Sequence, residues 1–344
     1  MAALTSRERV IRTIERKEVD RAPYSFDLTG KIAHMLSTHY RIAPESLYSF
    51  LGDDLLYVGM KSPGEVKSTG SQYEDEFGVL WDVSDQSHDI GDWGSILFSP
   101  MGDPSCEGFA FPDGSKQGRF DDLDLTELKR QERFVILGLT GLFDLCWHLR
   151  GLEGFMMDMV AEEEFAARLL DKMLEFNLGV IEQIPDAIDG VRFGEDWGLQ
   201  KGLITGAPLW RKLIKPRLRV MYAAARAKGL KVFIHSCGDI QELFEDLIEI
   251  GVDVVHPIQP EAMDIAMLRE KYGSRITMYG GLGTQSVLVF GTPADVIAQA
   301  RERLAQFADG GYIFGPAGAI STDTKLENVT ALVDFARNHY RVLV

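Results

Sequence analysis

Short apolar segments rich in β-branched residues recur along the chain, and each ends at a glycine or a polar residue. Most are followed by a segment whose apolar positions have helical spacing, which is the pattern of successive βα units on a parallel sheet. Eight segments are candidate strands: residues 24–27, 55–58, 135–138, 191–194, 232–235, 252–256, 276–279 and 312–315. Eight such units predict an α/β fold, a TIM-like (β/α)8 barrel formed as a single domain over residues 1–344.

Three of the intervening helices have ends that can be read from the sequence. A helix over residues 208–228 begins with proline and stops at Gly229, and a helix over residues 240–250 stops before Gly251. A third helix, over residues 293–308, also begins with proline. Proline at the start of a helix and glycine just past its end are the expected positions for these two residues.

The segment between the second and third candidate strands does not follow this alternation of strands and helices. Residues 61–133 are rich in glycine, serine, aspartate and aromatic residues, and their apolar positions lack helical spacing. A loop of this length inside a compact domain usually carries a function. We therefore predict an elaborated cap, inserted between strands 2 and 3, that covers one mouth of the barrel.

Charge and composition exclude several classes of function. The chain has 36 Lys and Arg residues against 52 Asp and Glu residues, a formal charge of −16, and no run of basic residues that would contact nucleic acid phosphates. We expect neither a secretory signal peptide nor a membrane span. The cysteines Cys106, Cys146 and Cys237 are too widely spaced for a disulfide framework, which favours a reducing cytoplasmic location.

The residues just after each strand are the candidates for chemistry, because the active site of such a barrel lies where its strands end. His235 and Cys237 follow the fifth strand, and an imidazole with a thiolate suits Zn²⁺; the alternative is a core histidine beside a small buried cysteine. Glu195 and Asp196 follow the fourth strand and are candidate metal ligands, general acids or hydrogen-bond acceptors. Alternatively, one of these two carboxylates caps a helix and the other is solvated.

Other strand ends supply candidate substrate-binding residues. His256 and Gln259 follow the sixth strand, and Gly281 and Gln285 follow the seventh, where glycine permits close approach of a ligand. The spacing of these glycines is not that of a dinucleotide-binding fingerprint, so NAD is not expected. Aromatic residues could line an apolar pocket or could simply fill the core. The aromatic candidates are Tyr24, Phe26, Trp81 and Trp147.

Taken in order, several motifs resemble the uroporphyrinogen decarboxylase superfamily. The likeness extends over nearly the whole chain and implies a (β/α)8 barrel. The motifs are Arg21-Ala22-Pro23, Trp147-His148-Leu149-Arg150-Gly151, Asp196-Trp197-Gly198, His235-Ser236-Cys237-Gly238-Asp239-Ile240, Pro257-Ile258-Gln259-Pro260 and Glu327-Asn328-Val329.

The resemblance also divides the possible chemistries. The true decarboxylases hold the carboxylate arms of their porphyrinogen with an Arg-Gln-Ala-Gly-Arg segment after the first strand, where this chain has Asp27-Leu28-Thr29-Gly30-Lys31. Without those arginines, and with a charge of −16, the chain is unsuited to a polyanionic tetrapyrrole. We therefore place it nearer the corrinoid-dependent methyltransferase branch.

The thiol-methylating members of that branch hold zinc with a His-x-Cys motif after the fifth strand and a further cysteine near the eighth. His235 and Cys237 match the first two ligands, but Gly318 stands where the third would be. A catalytic zinc needs about three protein ligands and an open position. Either Asp196 or Glu195 completes the site, or the site holds no zinc.

The preferred expectation is a methyltransferase that moves a methyl group from a methylated small molecule, such as an aryl methyl ether, to a corrinoid (cobalamin) on a partner protein. Its catalytic candidates are Asp196, His235 and Cys237, which would stabilise the leaving atom. One alternative is a cofactor-independent decarboxylase or lyase acting on a small carboxylated substrate. Another is a non-catalytic barrel that binds a corrinoid or a tetrapyrrole. The resemblance also implies a homodimer.

Overall fold

The structure, a computed structural model, describes residues 4–64, 67–84, 94–102 and 108–339. Cys106 lies outside this part of the chain. The described strands form a seven-stranded parallel sheet, with the order β1-β6-β7-β8-β9-β10-β11, and a four-stranded antiparallel sheet, with the order β2-β3-β4-β5. The strands are β1 (Leu55–Val58), β2 (Lys67–Thr69), β3 (Gln72–Glu74), β4 (Leu80–Asp82), β5 (Ser95–Phe98), β6 (Phe134–Thr140), β7 (Gly190–Gly194), β8 (Lys231–His235), β9 (Val254–Ile258), β10 (Thr277–Leu282) and β11 (Tyr312–Pro316).

Helices connect the parallel strands and pack outside them around a large apolar core. They are α1 (Ser6–Ile14), α2 (Gly30–Tyr40), α3 (Leu47–Leu51), α4 (Leu125–Arg130), α5 (Leu142–Arg150), α6 (Leu152–Ala161), α7 (Glu163–Gln183), α8 (Ala207–Leu209), α9 (Lys215–Ala227), α10 (Phe244–Glu249), α11 (Ile265–Tyr272), α12 (Val287–Phe290), α13 (Pro293–Gln306) and α14 (Leu326–His339). Within the described ranges, no helix is both long and apolar enough to cross a membrane.

The three helices predicted from their ends are present. The helix predicted over residues 208–228 is α8 continued into α9 through a π-helical turn, Trp210–Ile214. The helix predicted over residues 240–250 begins with a 3-10 turn, Gln241–Leu243, and continues as α10. Helix α13 begins at a capping box, because the side chain of Thr292 accepts a hydrogen bond from the amide of Asp295.

The first predicted strand takes a different form, and it joins the two edges of the parallel sheet. Tyr24 and Leu28 make isolated parallel bridges, to Phe314 in β11 and to Ile320 just after it. On the β1 side, one backbone hydrogen bond, from the amide of Asp54 to the carbonyl of Tyr24 at 2.9 Å, is joined by two carboxylate bonds. Asp54 Oδ2 accepts a hydrogen bond from the amide of Tyr24 at 2.8 Å, and Asp53 Oδ2 accepts one from the amide of Phe26 at 2.9 Å.

This segment fills the eighth position of the barrel, and the predicted TIM-like α/β fold is confirmed. Tyr24 and Phe26, predicted to line the substrate pocket, lie buried in this seam, where the hydroxyl of Tyr24 donates to the carbonyl of Leu51 at 2.8 Å. They support the closure of the barrel and are covered by protein.

Two arginines surround Asp54 beneath the seam. Arg9 Nη1 donates to Asp54 Oδ1 at 2.7 Å and Arg21 Nη1 donates to Asp54 Oδ2 at 2.5 Å. The side chain of Asp54 is fully buried and that of Arg9 is almost so. Removing one partner of such a pair leaves an uncompensated buried charge, which is strongly destabilising.

Apolar side chains fill the barrel below the strand ends. Six of the seven parallel strands contribute to this interior cluster, as is usual for a barrel packed by layers of inward-pointing side chains. The cluster contains Val10, Leu55, Phe134, Ile136, Phe233, Val254, Tyr279 and Ile313. Most of the polar groups that could do chemistry therefore lie at the carboxyl ends of the strands.

The insertion between β1 and β6 contains the antiparallel sheet. Its central hairpin, β3 and β4, turns around Asp75, whose Oδ2 accepts a hydrogen bond from Trp81 Nε1 at 2.9 Å. Trp81 is buried and meets His148 of α5 edge to face, and Phe77 packs against Phe176 of α7. The hairpin thus rests on α5 and α7, and coverage of the barrel mouth by the whole insertion stays a prediction.

We predict that Asp54→Asn destabilises the fold by about 3 kcal/mol or more, because it leaves the guanidinium groups of Arg9 and Arg21 without their shared carboxylate. Urea denaturation followed by circular dichroism measures the free energy of unfolding. A matched control is Glu164→Gln, which removes an exposed ion pair with Arg168 and is expected to cause no measurable change. Equal effects of the two substitutions would contradict the proposed role of Asp54.

Candidate active site

The loops that follow β7 and β8 touch backbone to backbone. A Cβ atom at Gly198 would lie inside the contact distance of the carbonyl oxygen of Cys237, and one at Gly238 would lie 2.5 Å from the carbonyl oxygen of Leu199. Gly238 also has a φ of +79°, in the left-handed region that favours glycine. The amide of Asp239 donates to the carbonyl of Leu199 at 2.7 Å, so glycine at both positions permits a direct hydrogen bond between the loops.

This contact brings together three of the four predicted metal ligands, Asp196, His235 and Cys237. Asp196 Oδ1 accepts a hydrogen bond from the amide of Cys237 at 2.9 Å. His235 Nε2 lies 3.5 Å from Cys237 Sγ and 3.8 Å from Asp196 Oδ1. One ligand atom from each residue lies within 4.8 Å of the others. We call these three residues the Asp-His-Cys cluster.

The spacing and chemistry of the cluster fit a zinc ion. Tetrahedral zinc, with bonds of about 2.0 Å to nitrogen and about 2.3 Å to sulfur, places those two atoms about 3.5 Å apart. The separation of His235 Nε2 and Cys237 Sγ agrees with this value. Asp196 is exposed, so the cluster has solvent on one side and room for a fourth ligand.

The thiol of Cys237 also needs a cation to become a ligand. Burial, and next the Asp196 carboxylate, raises the pKa of Cys237 to about 12. The thiol is therefore neutral at physiological pH unless a metal ion displaces its proton.

His256 holds the outer side of the His235 ring. The two Nδ1 atoms are 2.9 Å apart, so one of them carries the shared hydrogen. If Nε2 of His235 serves as a metal ligand, Nδ1–H of His235 must donate to His256, which is the usual second hydrogen bond of a metal-bound histidine. Burial lowers the pKa of His256 well below its ordinary value, which keeps the ring neutral.

His256 was predicted to bind substrate, and the structure places it behind His235. It is fully buried and its ring packs on Tyr279 at a centroid distance of 4.2 Å. Its Nε2 finds no hydrogen-bond partner among the described residues. The position suits a residue that orients His235.

Glu195 turns away from the cluster. Its carboxylate accepts hydrogen bonds from the amides of Leu142 at 2.6 Å and Phe143 at 2.9 Å, in the first turn of α5. A negative charge there is stabilised by the helix dipole, although burial raises the pKa of Glu195. Any side chain at Gly141 would collide with this carboxylate. Glu195 thus caps a helix, the alternative weighed from the sequence, but the helix precedes it in the chain.

Asp144, which the sequence did not single out, supports Asp196. Asp144 Oδ1 accepts hydrogen bonds from the amide of Asp196 at 3.2 Å and from Trp147 Nε1 at 2.9 Å. Burial, and next the charge of Asp196, raises the pKa of Asp144 to about 7. Trp147, a predicted substrate-binding residue, is half-buried and fixed by this bond. The sequence feature that could have indicated Asp144 is its position as an acidic residue in the first turn of a helix that follows a strand.

The other predicted substrate-binding residues have varied positions. Gln259 is buried, and its Oε1 accepts a hydrogen bond from the amide of Gly238 at 3.0 Å, which steadies the loop that carries Cys237. Gly281 is also buried, and its carbonyl accepts from Arg303 Nε at 3.2 Å. Gln285 is exposed at the strand end. Trp81 is buried where the hairpin of the insertion contacts α5. Of these four residues, only Gln285 is open to a ligand.

Arg192 is a second residue that the sequence did not single out. It lies within β7, and its guanidinium stands over the ring of Tyr57 at 4.7 Å from the centroid. Arg192 Nη1 is 3.4 Å from Asp27 Oδ2. A single basic residue inside a strand forms no recognisable motif. Only the position of Arg192 on the inward-facing side of β7 could have indicated a role for it.

Comparisons with known proteins find sequences similar to this chain. A family model described as uroporphyrinogen decarboxylase (URO-D) matches residues 123–339. The chain is 25% identical over 201 residues to methylated-thiol--coenzyme M methyltransferase of Methanosarcina mazei, and 32% identical over 100 residues to uroporphyrinogen decarboxylase of Dechloromonas aromatica. These matches cover 58% and 28% of this chain and span 52% and 27% of the two relatives.

A solved structure of a methyltransferase from Methanosarcina mazei has the same fold. It superposes with a TM-score of 0.74 at 17% sequence identity. The superposition covers 98% of this chain and 99% of that one, so the likeness extends to the whole barrel.

We predict that Gly198→Ala lowers the free energy of unfolding by about 1–3 kcal/mol, because the added methyl group collides with the carbonyl of Cys237 and separates the two loops. Chemical denaturation measures the effect. The matched control is Gly59→Ala, where the methyl group meets no atom within 4 Å and no loss is expected. A Gly198→Ala protein as stable as the control would refute the importance of this contact.

Proposed function

The chain belongs to the uroporphyrinogen decarboxylase family, and from this membership we propose that it is a methyltransferase that demethylates a small molecule. In the proposed reaction a methyl group moves from a compound such as an aryl methyl ether to the cobalt of a corrinoid on a partner protein. The observation that carries the proposal is the Asp-His-Cys cluster at the strand ends. The likeness to a methyltransferase from Methanosarcina mazei supports the same class of reaction.

The chain's own side chains provide a complete ligand set for zinc in this proposal. His235 Nε2, Cys237 Sγ and Asp196 Oδ1 would hold the ion, and Gly318 contributes no side chain. A carboxylate and a thiolate together carry two negative charges, which balance a divalent ion as two thiolates would. A zinc ion there supplies a Lewis acid that stabilises the leaving oxygen or nitrogen.

The residues around the cluster orient these ligands. The Nδ1 atoms of His256 and His235 share a hydrogen, which fixes the ring of His235. Asp144 accepts from the amide of Asp196, and Gln259 accepts from the amide that follows Cys237. Such outer contacts typically change metal affinity by about 10- to 100-fold when removed.

The charges of the mouth favour methyl transfer over decarboxylation of a polyanion. Asp27, Asp144 and Asp196 lie around the cluster, and the segment after the first strand has Asp27 where the true decarboxylases have arginine. Such a surface repels a substrate with many carboxylates. It accepts a small molecule of low charge.

We predict that the wild-type protein binds about one zinc ion per chain and that His235→Ala and Cys237→Ala abolish this binding. Asp196→Asn is expected to weaken it about ten-fold or more, since a neutral amide replaces a charged ligand. Mass spectrometry of dialysed protein measures the metal content. The control His34→Ala removes an exposed histidine far from the cluster in sequence and should retain the ion. A wild-type protein without affinity for zinc would overturn the ligand assignment.

We also predict that the wild-type protein catalyses methyl transfer to free cob(I)alamin from at least one member of a panel of methoxylated aromatic compounds and methylamines. Loss of the cob(I)alamin absorbance measures turnover, and Cys237→Ala should remove it. No turnover with any member would count against the proposal. Release of carbon dioxide from a small carboxylate without a corrinoid would favour a lyase, and tight corrinoid binding without turnover would favour a binding protein.

A further inference from the structure

Arg192 is a basic side chain inside the barrel, one layer below the Asp-His-Cys cluster. In the register of the sheet it pairs with Phe233, an interior core residue, while His235 pairs with Gly194 two positions further along. Two residues of a strand rise about 6.6 Å. The Arg192 side chain reaches Asp27, which follows the first strand, so it extends from the interior towards the mouth.

The hydrogen-bonding capacity of Arg192 is largely unused, unlike that of other buried arginines. A guanidinium has five N–H donors. Arg9, Arg119 and Arg150 each donate four hydrogen bonds to carboxylate or carbonyl oxygens. Among the described residues Arg192 has one carboxylate acceptor, Asp27 Oδ2, at a distance of 3.4 Å, and its other close partner is the side chain of Tyr57.

The side chain of Arg192 is partly open to solvent. The Arg192 side chain is 19% exposed and that of Asp27 is 27% exposed, whereas the Arg119 side chain is completely buried. A single contact of 3.4 Å is longer than a strong charge-assisted hydrogen bond and is not the paired geometry that arginine makes with carboxylates. The guanidinium can therefore receive a second, better placed anion.

The charge balance limits the number of anionic groups that can bind. Burial is the main cause that lowers the pKa of His235 and of His256, and the charge of Arg192 is a smaller cause of both shifts, which is consistent with a cation near these two rings. Asp27 already neutralises part of the charge of Arg192, and Asp196 adds a further carboxylate beside His235. One anionic group satisfies this arrangement, and a second would meet carboxylates.

We propose that Arg192 determines substrate specificity by binding a single carboxylate, so that the substrate is a methylated aromatic monoacid whose methyl-bearing atom reaches the Asp-His-Cys cluster. This inference rests on the proposed function and names its substrate class. Asp27 pairs with the guanidinium of Arg192 when no substrate is bound, and the substrate carboxylate takes its place. The Cα atoms of the two layers are about 6.6 Å apart along the strands, a scale comparable with a single aromatic ring and its substituents.

Binding of two probes tests the assignment: para-methoxybenzoate and its uncharged amide, para-methoxybenzamide, titrated calorimetrically into chelator-treated protein. The wild-type protein should bind the acid about ten-fold or more tightly than the amide. Arg192→Gln should abolish this preference and Arg192→Lys should retain part of it, because lysine keeps the charge without the paired donors. Asp27→Asn should increase the preference, since it removes the competing carboxylate.

The matched control is Arg168→Gln, which removes an exposed arginine and should leave the preference unchanged. Equal binding of acid and amide by the wild-type protein, or absence of binding by both, would overturn the proposal, as would an undiminished preference in Arg192→Gln. If Arg192→Gln does not fold, Arg192→Lys and Asp27→Asn decide the question. The titration uses no metal and no corrinoid, so its failure is distinguishable from failure of methyl transfer.

Discussion

The candidate site depends on a close approach of two backbones. Gly198 and Gly238 carry no side chains, and the loops after β7 and β8 therefore meet directly. Because they meet, the amide of Trp197 donates to Ser236 Oγ at 3.0 Å and the amide of Cys237 donates to Asp196. This contact helps to position the proposed ligands. Strands β7 and β8, which end just before it, hold the two loops in place.

The barrel was predictable because its pattern repeats. Seven of the eight predicted strands are present as strands, and the helix ends marked by proline and glycine are close to their predicted places. The first strand differs because Asp53 and Asp54 bind its backbone with side chains, and hydrophobic periodicity carries no sign of such bonds. The antiparallel sheet of the insertion was not predicted, because residues 61–133 were interpreted only as an elaborated cap.

The site was predictable at the level of strand ends and less so at the level of single side chains. His235, Cys237 and Asp196 converge, but adjacent Glu195 and Asp196 point to different partners because one faces the first turn of α5 and the other faces the mouth. Gln259 bonds to the loop that carries Cys237 and Gly281 bonds to Arg303 of α13, and the spacing of residues in the sequence does not distinguish such structural contacts from substrate binding. Asp144 and Arg192 were missed since neither follows a strand directly, although both act on residues that do.

The seam of the barrel has a consequence for how such proteins diverge. A strand held by a full ladder fixes the backbone on both sides, so changes beside it disturb the sheet. Here the first segment is anchored from below by Asp53 and Asp54 and from the far side by two isolated bridges. The side chain of Asp27, which is partly exposed, can be exchanged while these backbone anchors keep the barrel closed. One scaffold can thus acquire new substrates by altering its seam.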